Sequence, residues 1–386
     1  MKRILSDQRR ALRGTNLAGA AKRALCLLVL LSFCGMSAGA VSVSAASAAL
    51  YDPLTGSLLY EKAADERRPM ASTTKIMTAL VTVENCDLAE VVTVPRQAAA
   101  IEGTRMYLET GEKVTVKELL QGLLLSSGND AAMALACHVA GDVPGFAALM
   151  NDKAAELGLR DSHFENPSGL DGETHYTTAR ELAVIAAHLL ENPILSELVS
   201  LQTVKTDNGR YLTNHNKMLR LYDGATGVKT GFTKKSGRCL VSSAARNGRE
   251  LIAVTLAAPD DWNDHTALLD YGFSLFQETA LMGKGADGPE IALADGRRVG
   301  TYAAGEISFF LQEGEREQLH WQLEGPQMVY APVVAGETFG QLVCYLGEKE
   351  IGRTELRYGE RVDALPPLER GWFANLWRSI VKWFRF

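Results

Sequence analysis

Three short motifs hold side chains suited to acyl transfer. Ser72-Thr73-Thr74-Lys75 places a hydroxyl and an amine at i and i+3, on one face of a helix. A serine hydroxyl is a poor nucleophile until a base takes its proton. A lysine can be that base when burial and neighbouring cations depress its pKa. Ser72 at a helix start also brings backbone N–H groups close to a developing oxyanion. Ser127-Gly128-Asn129 lies 55 residues further on, in a break between two apolar helical runs where side chains can project into a cleft. Lys229-Thr230-Gly231 follows the second motif after another 102 residues, just before the strongest hairpin signal in the chain. That place suits an edge strand offering its backbone to a peptide.

Singly, each motif is weak. Ser379-Ile380-Val381-Lys382 repeats the first pattern, and Thr206-Asp207-Asn208 matches the second. The order, separations and contexts of the three make the combination specific. Other chemistries find little support. The 7 histidines form neither H-E-x-x-H nor finger spacing, and His215 and His265 read as surface or core polar residues. Cys86, Cys137, Cys239 and Cys344 are scattered, which argues against a disulfide framework or a cysteine zinc site. Gly35-Met36-Ser37-Ala38-Gly39 matches a nucleophile elbow by letter but falls inside an export signal. Gly283-Lys284-Gly285-Ala286-Asp287-Gly288 matches a dinucleotide fingerprint by letter. With no strand close before it and Pro289 where a helix should start, it reads as a linker. No metal or cofactor is expected.

The elements that must position the motifs follow from local signals. Asp52-Pro53-Leu54-Thr55-Gly56 marks a hairpin between Ala48–Tyr51 and Ser57–Tyr60. A helix is expected from Ser72 to about Val83. Capping boxes at Thr115/Glu118 and Thr178/Glu181 open two more helices. Asn247-Gly248 joins two β-like runs, Arg238–Arg246 and Arg249–Ala257. Strands at both ends with helices between predict an α+β domain over residues 41–276, an antiparallel sheet covered by helices. A linker at 277–289 and a small all-β domain at 290–362 should follow. In the latter, Glu306–Gln312 and the alternating Leu319–Leu323 read as strands.

Across 386 residues the net charge of -6 averages unlike parts. Residues 1–40 carry +6, Glu369–Phe386 carries +3, and -15 remains for the body between. The acidic body argues against nucleic acid. Basic residues to Arg23, an apolar run at Ala24–Phe33 and Ala38-Gly39-Ala40 follow the order of a cleaved signal peptide over residues 1–40. At 369–386, Phe373, Leu376, Trp377, Ile380, Val381, Trp383 and Phe384 share one helical face. Asn375, Arg378, Ser379, Lys382 and Arg385 take the other. Such a helix suits an anionic membrane surface, and Leu365-Pro366-Pro367-Leu368 reads as a stiff spacer before it.

With these residues in view, the chain resembles the penicillin-recognising serine enzymes, and within them the low-molecular-mass penicillin-binding proteins that are D-alanyl-D-alanine carboxypeptidases. Arg68–Thr78, Leu125–Ala131, Asn166–Asp171 and Gly227–Gly231 carry the likeness. The resemblance implies a serine β-lactamase/transpeptidase-like fold and a peptidoglycan stem peptide as substrate. β-Lactams would be covalent inhibitors, and the enzyme would sit on the outer face of the bacterial cytoplasmic membrane. It implies Ser72 as nucleophile, Lys75 as main base and Ser127 as proton relay. Asn129 would hold the substrate amide or orient Lys75, Lys229 would supply positive potential, and Thr230 would bind the terminal carboxylate. Backbone N–H groups of Ser72 and Phe232, beside Gly231, would form the oxyanion hole. Relatives place an arginine after the last catalytic strand. Here Pro259–His265 has none, which leaves the carboxylate to Thr230 and Lys229. A D,D-endopeptidase would use the same residues, and a non-catalytic wall-binding protein is the alternative from another class. A β-lactamase fits less well, because Glu165-Asn166-Pro167 lacks the E-x-x-L-N spacing.

Overall fold

The computed structural model describes residues 41–366 and 371–383, apart from the side chains of 372–375. The expected signal peptide lies outside the described residues. Five antiparallel strands form the main sheet: β1 (Ser47–Asp52), β2 (Ser57–Lys62), β3 (Ala225–Thr233), β4 (Gly237–Arg246) and β5 (Arg249–Leu256), in the order β2-β1-β5-β4-β3. The chain thus closes its sheet with strands from both ends, and β3 forms an edge. Asn247 and Gly248 turn β4 into β5 with φ of 53° and 79°, the left-handed pair that a tight primed hairpin turn requires.

The helices between these strands cover one face. They are α1 (Lys75–Asn85), α2 (Val116–Leu124), α3 (Asn129–Ala140), α4 (Val143–Glu156), α5 (Ala179–Glu191) and α6 (Pro193–Ser200). The expected helix at Ser72 begins as a 3₁₀ turn, Ala71–Thr74, before α1. The Thr115/Glu118 box caps α2 in both directions, and Leu119, Leu120, Leu123 and Leu124 bury the face beneath it. At roughly 1.5–3 kcal/mol each, such burial is what holds a helix this short. Thr178 caps α5 through the Glu181 N–H. The Glu181 carboxylate is turned elsewhere, to the N–H groups of Arg160 and Asp161 and the Ser162 hydroxyl. A further helix, α7 (Asp261–Ser274), covers the other face. A side chain at Gly272 would strike Leu50 and Leu251, so the absence of one lets this helix lie close. His265 is buried there between the Ser242 and Thr255 hydroxyls, and burial lowers its pKa to about 3. It is a core residue.

The C-terminal part contains β6 (Gln277–Met282), β7 (Thr301–Ala303), β8 (Ile307–Leu311), β9 (Leu319–Glu324), β10 (Thr338–Leu346) and β11 (Lys349–Tyr358). A four-stranded sheet runs β7-β11-β10-β9, and β6 pairs with β8. Val299, Phe339, Leu342, Leu356 and Tyr358 fill its core. One expectation needs correction. Residues 277–289 are not simply a linker: they begin with β6, so a strand does precede the glycine-rich run. That run leads to Ile291–Ala292, again a strand, and without a helix the dinucleotide reading still fails. Leu319–Leu323 is a strand as expected, and β9, at the edge of its sheet, leaves His320, Trp321, Gln322 and Leu323 exposed.

Arg249, at the start of β5, joins the two parts. Its guanidinium is fully buried between Asp52 and Glu315, donates from Nε to the Phe310 carbonyl at 2.8 Å and lies 4.0 Å from the Phe276 ring centroid. The chain ends in α8 (Gly371–Trp383).

Candidate active site

The turn before α1 brings Ser72 to the edge of β3 under visible constraint. Ala71 adopts φ 49°, a costly left-handed conformation for a residue with a side chain. A β-carbon on Gly169 would lie 1.9 Å from the Ala71 carbonyl oxygen. One on Gly231 would lie 3.0 Å from the Met70 oxygen and 3.1 Å from the nitrogens of Ser72 and Thr73. Both glycines are therefore required by close approach of main chain to main chain. Ser127, at φ 59°, is the second strained residue. Its loop is tied back by the Gly128 N–H to Gly122 O at 2.9 Å and the Asn129 N–H to Thr104 O at 2.7 Å.

Lys75 is fully buried, with three partners around Nζ. Ser72 Oγ is at 2.9 Å, Asn129 Oδ1 at 2.8 Å and the Ser168 carbonyl oxygen at 2.7 Å. Burial, then the charge of Lys229, pushes its pKa well below the usual lysine value, and Asp130 offsets this only in part. A neutral amine has two N–H donors and one lone pair. Asn129 Oδ1 and Ser168 O can only accept, so in the neutral form the lone pair faces the Ser72 hydroxyl, whereas in the charged form Nζ donates to it. Asn129 Nδ2 also donates to the Glu102 carbonyl at 2.8 Å, which holds the amide in place beside Lys75. Lys229 is also buried, with Nζ donating to the Thr230 carbonyl at 3.0 Å, and desolvation lowers its pKa to about 7.

Ser72, Ser127, Thr230, Gly231 and Phe232 line one open cleft of about 510 Å³, with Lys75, Asn129 and Lys229 buried. The structure thus gathers all eight sequence-predicted residues. The decoys lie elsewhere: Thr206 and Asn208 tie a loop beside Glu118, and Ser379 and Lys382 stand exposed on α8.

Sequence reasoning missed several groups. The Ser168 carbonyl acts through main chain and leaves no side-chain signal. Asp130 is buried and accepts from the N–H groups of Met106 and Leu108 at 3.0 Å, fixing one wall. His215 lines the cleft, with its pKa lowered by burial and Lys229. Most consequential is Arg238. The cross-strand partner of Phe232, it also lines the cleft. It donates to Asp261 Oδ1 at 2.7 Å, its guanidinium lies 5.5 Å from the Trp262 ring centroid, and its Nε has no partner. A guanidinium therefore does line the cleft, although the segment after β5 supplies none. The arginine comes from β4 rather than from the segment after β5.

Peptidase family S11, described as D-alanyl-D-alanine carboxypeptidase, matches residues 35–260. The chain is 31% identical to the D-alanyl-D-alanine carboxypeptidase DacF of Bacillus subtilis, over 89% of this chain and 90% of that one. It is 31% identical to DacC of Escherichia coli, with the same coverage. Among solved structures it is similar to penicillin binding protein 5 from Haemophilus influenzae, at 28% identity and a TM-score of 0.60. That likeness covers 83% of this chain and 98% of the other. A mutant of the Streptomyces K15 DD-transpeptidase matches at 37% identity and a TM-score of 0.58, over 61% of this chain and 99% of its own.

Proposed function

The chain belongs to the D-alanyl-D-alanine carboxypeptidase family, peptidase family S11, and we propose that it removes the terminal D-alanine from peptidoglycan stem pentapeptides through an acyl-enzyme on Ser72. The observation that carries this reading is the saturated environment of Lys75 Nζ, in which the lone pair can be spent only on Ser72. Lys75 takes the Ser72 proton as Oγ attacks the carbonyl carbon between the two D-alanines. The N–H groups of Ser72 and Phe232 hold the oxyanion, next to the close contact made at Gly231. Ser127 passes a proton to the leaving amine, D-alanine departs, and water resolves the ester with Lys75 again as base. Thr230, Lys229 and Arg238 receive the terminal carboxylate. A β-lactam enters by the same attack, its ring amide opening to an ester on Ser72.

Export of the chain and attachment through α8 complete the proposal. Leu376, Trp377, Ile380 and Trp383 are exposed on α8 beside Arg378 and Lys382, a composition suited to an anionic headgroup layer. Phe373 lies among the side chains left undescribed, and Phe384 and Arg385 lie outside the described residues. No single described helix is long and apolar enough to cross a membrane.

Digestion of purified peptidoglycan tests the activity. Free D-alanine with crosslinks intact is expected. Cleaved crosslinks without free D-alanine would instead establish the endopeptidase that the same residues allow. Deleting residues 369–386 should release the protein from vesicles containing anionic lipid, and unchanged pelleting would remove the attachment.

A further inference from the structure

The helices that carry the catalytic amine and its amide partner meet at both ends. At their N-termini Lys75 of α1 reaches Asn129 of α3 at 2.8 Å. At their C-termini, Cys86 caps α1 and His138 stands in the last turn of α3. Glu90, on the loop after Cys86, completes the group. Its Oε2 lies 3.0 Å from His138 Nε2, and its Oε1 accepts the Asp87 N–H at 2.8 Å. One donor atom each from Cys86, Glu90 and His138 falls within 4.8 Å of the others.

We propose that Cys86, Glu90 and His138 form a binding site for a thiophilic divalent cation of the zinc class, pinning α1 to α3 at the end opposite the active site. Sulfur, nitrogen and oxygen donors in one cluster suit such an ion better than magnesium or calcium, which take oxygen. Metal–ligand bonds of about 2.0–2.3 Å in a tetrahedron set the donors roughly 3.3–3.7 Å apart. The Glu90–His138 pair is already inside that range at 3.0 Å, and the widest pair, up to 4.8 Å, needs to close by about an ångström, within reach of side-chain rotation. Glu90 is exposed, which leaves the fourth position to water. Cys86 and His138 belong to different helices, so no short sequence motif announces them.

Titration of the full-length protein, thiols reduced, with Co²⁺ as an optical probe tests the site. One equivalent should give a sulfur-to-cobalt charge-transfer band and tetrahedral visible bands, both displaced by Zn²⁺. Cys86→Ser should abolish the charge-transfer band, and His138→Gln should weaken binding at least tenfold. Both variants should still be acylated by penicillin, which reports that they fold. In the unaltered protein, alkylation of Cys86 should slow at least tenfold when Zn²⁺ is added, a readout that needs no variant. Absence of the sulfur band, binding that survives both substitutions, or alkylation indifferent to Zn²⁺ would each overturn the assignment.

Discussion

The two active-site lysines differ in what surrounds them, and the difference sets the pH behaviour. The proposed mechanism needs Lys75 as a neutral amine, and burial, then the charge of Lys229, pushes its pKa in that direction. Lys229 must be charged to attract a carboxylate, and it loses its proton near pH 7. Acylation efficiency, measured as kcat/KM with benzylpenicillin, should therefore fall as pH rises through about 7. Lys229→Arg should move that limb upward, since a guanidinium stays charged. Arg238 makes a second prediction. Charge-assisted hydrogen bonds contribute about 1.5–3 kcal/mol, so Arg238→Gln should raise KM for a pentapeptide roughly 10- to 100-fold. kcat should change little, and a peptide with an amidated C-terminus should be unaffected by the substitution. Equal loss on both peptides would show that Arg238 only props the cleft. At this scale the sequence was most readable where chemistry is local. Ser72 and Lys75 are one turn apart, whereas Arg238 enters the cleft only because β4 pairs with β3, and Ser168 contributes a main-chain atom.

The elements deliver these groups through close backbone contacts. Gly231 lets β3 approach the Ser72 turn, and a methyl group there meets main-chain atoms that cannot swing aside. Gly231→Ala should slow penicillin acylation by up to about tenfold, because contacts of 3.0–3.1 Å require a shift of only a few tenths of an ångström in a positioned reaction. Its thermal midpoint should stay close to that of the unaltered protein, separating misplacement from unfolding. Undiminished acylation would mean that the turn can yield. Element boundaries were legible where a residue type is forced: the Asn247-Gly248 turn and the Thr115/Glu118 box both form. The alternating Leu319–Leu323 is a strand as its pattern predicts, whereas β6 could not be seen in front of a glycine-rich run.

The whole molecule depends on an ion cluster that sequence could not reveal, because its members come from β1, β5 and the C-terminal part. Arg249 faces two buried carboxylates, Asp52 and Glu315, and burial raises the Asp52 pKa against the pull of the arginine. Arg249→Met would leave both carboxylates unpaired. It should cost about 3–5 kcal/mol, read as a lowered calorimetric midpoint. An unchanged or raised midpoint would mean that the cluster is dispensable. The charge asymmetry belongs to this scale as well, since the proposed attachment through basic α8 would leave the acidic body to the active site. The central claim, a nucleophilic Ser72 served by a neutral Lys75, is tested most directly by incubating the protein with benzylpenicillin and mapping the adduct by mass spectrometry. One adduct per chain on Ser72 is expected, with none in Ser72→Ala and D-alanine release abolished in the same variant. An adduct on any other residue, or D-alanine still released by Ser72→Ala, would contradict the account.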